Sequence, residues 1–236
     1  MMIQLILLVT YRRQKLAYRF ASTHYQEIEE QEKKIGHLIK NIPLSFSIHT
    51  LSTSDASLEA LKEKDPYFKD VQYESSLESF ISDMKSKSEL NDEDIASYLQ
   101  TKYHLDAFSL QKVLYYGYAG FLTEFHQRPF NAQFVAFSHG PVDYDIWKRI
   151  KYSPETLNYQ FDFLQKIASK PKIKQYLDGV VEKYGQYFQK TNSFKNDDEN
   201  PTHNLGTPWS RAYAKGQNTT ITDDDILKYH YLEKID

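Results

Sequence analysis

Ser109-Leu110-Gln111-Lys112-Val113-Leu114-Tyr115-Tyr116-Gly117, followed after a short alternating segment by His139-Gly140-Pro141-Val142, is the stretch that decides the fold. Leu110, Val113, Leu114, Gly117, Phe121 and Phe125 recur at helical spacing, an apolar stripe too broad to face water, so the sequence predicts a central core helix. Gly117 and Gly120 lower its intrinsic propensity and point to the close approach of another backbone. Residues 133–137 alternate, Phe134 and Ala136 on one side and Val135 and Phe137 on the other, which predicts a strand covered on both sides. Gly140-Pro141 is read as its closure. Proline forces extended geometry on the residue before it, glycine relieves that penalty, and the ring fixes the exit into a helix over 143–150 that Asp143 caps and Trp147 sits on.

The signals continue in both directions. Upstream, Asn91 is a helix N-cap, Asp92, Glu93 and Asp94 lie at the positive end of the dipole, and Ile95, Tyr98 and Leu99 share a face. Downstream, Ser153-Pro154 reads as a cap and N1 proline, and Pro171 starts a long helix holding Ile173, Leu177, Val180, Val181 and Tyr184. Residues 192–200 are polar and acidic and read as an exposed loop. Thr202-His203 and Pro208-Trp209-Ser210 follow, and Thr222-x-x-Asp225 is a capping-box variant ahead of a docked final helix with Ile226, Tyr229 and His230.

The first ninety or so residues have a different character. Ile3-Gln4-Leu5-Ile6-Leu7-Leu8-Val9 reads as a buried strand; it is too short to span a membrane and lacks the basic start of a signal segment. A second strand is expected near 16–20, a charged helix over 25–39 ended by Pro43, a strand through Phe46 and Ile48, and a helix over 57–64 broken by Asp65-Pro66. Residues 69–90 are serine-rich and suit a junction, with Leu77, Phe80, Ile81 and Met84 spaced as a short amphipathic helix inside it. The expected organisation is an α+β region over 1–88 and a mainly helical domain over 89–236.

Composition narrows the function. Hydrophobic residues make up 40% and aromatics 15%, with 19 Tyr and 14 Phe, so a packed core is expected along with amphipathic contact surface. A formal charge of −3 gives no long-range field for nucleic acid, although Lys148, Arg149 and Lys151, and Lys170, Lys172 and Lys174, form local basic clusters. The chain has 0 cysteines, which rules out disulfides and thiolate chemistry and fits a cytoplasmic setting. None of the 8 glycines falls in a phosphate-loop spacing, and no G-x-S-x-G or H-E-x-x-H is present.

Each candidate for chemistry has a structural counterpart. His139 could act as acid, base or ligand, yet no diagnostic His or acidic spacing surrounds it, and an imidazole beside a turn ordinarily satisfies nearby carbonyls. Asp143 and Asp145, with Glu124 nearby in sequence, could be an acid/base pair; Asp143 is better accounted for as a cap. Trp209 could anchor a partner if exposed, or wedge its loop onto the core while Pro208 rigidifies the entry. No catalytic, cofactor-binding or metal-ligating residue is assigned.

Taken together, the helix containing Gln111, Lys112 and Tyr115, the turn His139-Gly140-Pro141-Val142, Trp147, Thr202-His203 and Pro208-Trp209 resemble the SocA-like antitoxin, or Panacea, domain over about residues 91–236. The chain departs from that pattern between Tyr184 and Thr202, where the stretch before Thr-His is longer and more acidic, and between His203 and Pro208. The resemblance implies a mainly α domain with a small β element. It also implies an antitoxin of a bacterial or phage-borne toxin-antitoxin system that binds a cognate protein toxin directly, with no membrane partner. One kind of family member instead delivers its toxin to a ClpXP-type protease. The N-terminal region lies outside the match and is expected to contribute partner specificity or oligomerisation, such as a homodimer. The alternatives are a hydrolase or metal-dependent enzyme using His139, His203 and nearby acids, and a DNA-binding autoregulator, which would need a basic face and dimeric symmetry.

Overall fold

The computed structural model describes residues 1–153, 162–190 and 200–235. The chain forms two compact units, Met1–Glu89 and Leu90–Asp236. Among the described residues no helix is long and apolar enough to cross a membrane.

In the N-terminal unit, β1 (Met2–Tyr11), β2 (Gln14–Ser22), β3 (Phe46–Thr53) and β4 (Val71–Tyr73) form one sheet in the order β3-β1-β2-β4, antiparallel except for β2 with β4. The apolar run of β1 is central because both its faces are covered. Leu5, Leu7 and Val9 pack with Ile28 and Ile35 of α1 (Tyr25–Ile39) and with Leu77, Phe80 and Met84 of α3 (Leu77–Ser88). Ile6 and Leu8 point the other way, to Leu61 of α2 (Leu58–Lys64) and to Phe68. The serine-rich stretch expected to be a junction is folded: it holds β4 and α3, with Ser76 capping α3, and the boundary between the units falls at its end. The tight β1–β2 turn uses Arg12 and Arg13, both at positive φ (48° and 67°), where Asn-Gly is the usual signal.

In the C-terminal unit α5 (Ala107–Phe125) is the axis, buried from Ser109 through Leu122. Its two glycines are contact points, met by side chains rather than by the backbone expected: a Cβ on Gly117 would lie 2.6 Å from Leu177 Cδ2, and one on Gly120 would strike the Tyr176 hydroxyl. Both neighbours belong to α8 (Pro171–Val180). Around the axis pack α4 (Asp92–Tyr103), α6 (Tyr144–Tyr152), α7 (Asp162–Ala168), α9 (Gln186–Lys190), α10 (Pro208–Tyr213) and α11 (Asp223–Tyr229). The single long helix expected from Pro171 is α8, a π-helical turn at Val181–Gly185, and α9 in succession. Pro154 and residues 192–199, expected in a helix start and a loop, lie outside the described residues. Asn200, expected to be exposed, is buried.

The small β element is a hairpin of β5 (Phe134–Phe137) and β6 (Gly140–Asp143). Gly140-Pro141 therefore begins the second strand and does not close the first. Phe134 and Ala136 are buried while Val135 and Phe137 are only half-buried, so β5 is fully covered on one side alone. Its free edge is met by residues 218–221: Ala136 N donates to Thr219 O at 2.9 Å and Ile221 N to Phe134 O at 2.9 Å.

Candidate functional site

Two polar residues of α5, Gln111 and Lys112, converge on the hairpin as two clamps. Gln111 grips one residue from both sides, its Oε1 accepting from Asp143 N at 2.8 Å and its Nε2 donating to Asp143 O at 3.3 Å. At the next residue the Lys112 ammonium, 1% exposed, donates to His139 O at 2.9 Å, Thr202 Oγ1 at 3.2 Å and Asn200 Oδ1 at 3.3 Å. Burying an ammonium is costly unless oxygens replace its water, and these three oxygens come from two separate segments. Lys112 thus pins both the hairpin turn and the Thr202 segment to the axis. The role of His139 here is its backbone carbonyl, to which Asn200 Nδ2 also donates at 3.1 Å.

Thr202, Pro208 and Trp209 are buried. Thr207 Oγ1 donates to Thr202 O at 2.6 Å and accepts from Ser210 N at 3.2 Å, which caps α10 and places Pro208 at its first turn. Trp209 is then a core wedge: its Nε1 donates to Phe137 O at 2.8 Å, and its indole stacks on His203 at 3.9 Å and on Tyr213 at 4.8 Å. Further along α5, the Tyr115 hydroxyl donates to Glu233 Oε1 at 2.6 Å and the Tyr116 hydroxyl to Glu233 O at 2.7 Å, so the chain's last turn is docked on the same helix. Burial pushes both phenols well above their ordinary value and keeps them protonated donors.

What these clamps present outward is aromatic. Asp143 Oδ1 caps α6 by accepting from Asp145 N at 3.2 Å and Ile146 N at 3.1 Å. From there Tyr144 and Trp147 stack with centroids 5.7 Å apart and planes 16° apart, Phe137 meets Trp147 edge-on at 5.3 Å, and Tyr152 flanks it at 6.3 Å. Tyr144 is 40% and Tyr152 68% exposed. Lys148 lies 4.3 Å over the Tyr144 ring and Lys151 4.8 Å over Trp147. On the inner side Arg149 pairs with the buried Glu93 at 3.0 Å, and Lys166 of α7 pairs with the buried Asp94. Two of the three acids of the α4 start are therefore ion-paired into the interior.

The third, Asp92, lines a cavity of about 290 Å³ together with Asp143 and Asp145; Glu124 does not. Burial, and then the neighbouring Asp92 carboxylate, push Asp143 up to about 8, and burial raises Asp92 as well. Two carboxyls so placed hold a proton near neutral pH. Among the described residues no group of three or more His, Cys, Asp or Glu could hold a metal ion.

The structure brings Gln111, Lys112, Gly140, Thr202 and the His139 carbonyl together, with Pro141 buried and Val142 half-buried in β6. Among the described residues no hydrogen bond joins the imidazole of His139 to that of His203. Sequence reasoning missed Asn200, Glu233, the Asp92 partner of Asp143 and the aromatic neighbours of Trp147; only the tyrosine content hinted at the last. The fold is mostly helical with a small sheet, beside an N-terminal α/β unit. Compared with models of known protein families, with characterised proteins and with solved structures, the chain matches none.

Proposed function

We propose that the chain is an antitoxin that neutralises a cognate protein toxin by direct binding, and that it acts by stoichiometric occlusion rather than catalysis. The observation that carries this reading is the ridge of Phe137, Tyr144, Trp147 and Tyr152, solvent-reaching aromatics interleaved with Lys148 and Lys151 on a helix whose start is clamped to the core. Tryptophan and tyrosine are among the side chains most enriched in interface hot spots. The resemblance of the same motif residues to the SocA-like family supplies the kind of partner. On this reading the buried motif residues serve the scaffold, and the ridge meets the toxin. The test is growth of bacteria induced for the protein encoded beside this gene, with and without this chain. Rescue by the chain, lost on Trp147→Ala in a folded variant, supports the reading; a toxic neighbour with no rescue sinks it.

A second reading, a carboxylate acid–base enzyme, is favoured by one observation, the proton-holding pair Asp92 and Asp143 beside a cavity. Its weakness is that Asp143 Oδ1 is already committed to the α6 cap. Asp92→Asn changes no ridge residue, although Tyr144 lines the same cavity, so loss of toxin rescue on that change with toxin binding retained would favour the enzyme over the ridge.

A further inference from the structure

On the side of the C-terminal unit bounded by α5, α8 and the chain's last turn lies a cavity of about 610 Å³, a size typical of small-ligand sites. One wall is a single helical face, because Lys172, Tyr176, Gly179 and Lys183 follow one another at steps of three and four. Lys234 contributes another ammonium from the C-terminal segment. Among the described residues no Asp or Glu lines the cavity and no ion pair holds Lys172, Lys183 or Lys234, while the Lys172 ammonium lies 3.5 Å over the Phe125 ring at the cavity wall. In a chain of net charge −3 this convergence of cations is local.

Rings supply the rest of the wall. Tyr116 and Tyr184 lie 4.8 Å apart, and Tyr176 is half-buried, its phenol pushed up to about 12 by burial so that it stays a donor. Lys183 and Tyr184 both belong to the π-helical turn Val181–Gly185. Such turns are less favourable than regular helix and recur at functional sites. A bare anion would need only the lysines and an apolar ligand only the rings; the combination selects a ligand with both.

We propose that this cavity binds a small aromatic anion of the nucleoside monophosphate class, its base against the half-buried Tyr176 and its phosphate among Lys172, Lys183 and Lys234. This is independent of the toxin reading, since it involves none of the ridge residues. The test is calorimetric titration of the full chain with AMP, and separately with adenosine and with inorganic phosphate. AMP is expected to bind at least about tenfold more tightly than either fragment. Gly179→Trp should abolish the binding: Gly179 lines the cavity and a Cβ there meets nothing within 4 Å, so the larger side chain starts into open space. Lys183→Glu, at an exposed position, should weaken AMP about tenfold with an unchanged melting temperature, and it carries the test if the tryptophan variant fails to fold. No binding of AMP at about 5 mM, a weaker bound than any functional site would show, overturns the proposal. So does phosphate binding as tightly as AMP, or AMP binding that Lys183→Glu leaves unchanged.

Discussion

Gly140 occupies a place in the hairpin where a side chain would collide with the Lys112 ammonium. Its φ is +117°, and a Cβ there would strike Lys112 Nζ and come within 3.0 Å of Thr202 Oγ1. The glycine is thus required twice, for its backbone conformation and for the space that lets a buried cation reach the His139 carbonyl. Three stretches far apart in sequence meet at this point, which gives the linked motifs a physical reason to occur together.

Gly140→Ala is expected to destabilise the C-terminal unit by about 2 kcal/mol or more, from the positive φ and the displaced ammonium together. Thermal unfolding measures it. In a Lys112→Met background the same change should cost less, because the clash with the ammonium is gone while the backbone strain and the close Thr202 Oγ1 contact remain. Fully additive costs would show that the two residues are not coupled.

Stability should fall toward both ends of the pH scale for opposite reasons. Burial works to raise Asp178, but hydrogen bonds from Tyr98, Tyr103, Lys102 and Lys174 outweigh it and hold the carboxyl at about 2, below its ordinary 3.8. That contribution is present above about 3.8 and is lost as pH falls through about 2. Asp143 is raised to about 8, so the folded chain binds a proton that the unfolded chain has released, and stability declines as pH climbs from about 4 to 8. Asp143→Asn keeps a capping side chain and removes the titration. Its melting temperature should hold between pH 5 and about 8 where the parent's falls, and a parallel fall in both would exclude Asp143 as the cause.

Most of the helical fold was legible because its signals are local. The Asn91, Asp143 and Thr222 caps and the α5 stripe each lie within a few residues of what they specify, and all formed. The pairing of the site was not local. Asn200 sits at the end of a polar run and reads as exposed, yet a lysine 88 residues earlier draws it inside. The Asp92 and Asp143 carboxyls are both ordinary helix-start acids in sequence, and only packing that buries the two near one another raises both. Arg12-Arg13 adopts a turn that no residue preference announces, because the pairing of β1 with β2 imposes it.

On the ridge, Tyr144→Ala and Trp147→Ala should each weaken toxin binding by about 2 kcal/mol or more, the scale of an interface hot spot, while shifting the melting temperature little. Trp209→Ala should do the reverse. Its indole is buried and bonded to Phe137 O at 2.8 Å, so its loss costs about 3 kcal/mol of stability through the cavity left behind. Binding by calorimetry and melting by circular dichroism separate the two classes, and a Trp147 variant that melts early without losing affinity would return the ridge to the scaffold.

The C-terminal anchor gives the last prediction. Glu233 is wholly buried, and its Oε1 accepts from Tyr115 while facing His230 Nδ1 at 2.7 Å. Glu233→Leu leaves a phenol and an imidazole buried against hydrocarbon, each an unsatisfied group costing about 1–3 kcal/mol. The backbone bond from Tyr116 to Glu233 O survives the change, so the last turn should loosen rather than detach. Amide hydrogen exchange should therefore accelerate in residues 223–235 with little change in α4. Because Lys234 follows directly and lines the larger cavity, the same variant should also weaken AMP binding. Faster exchange with unchanged AMP affinity would remove Lys234 from that site and leave Lys172 and Lys183 to hold the phosphate.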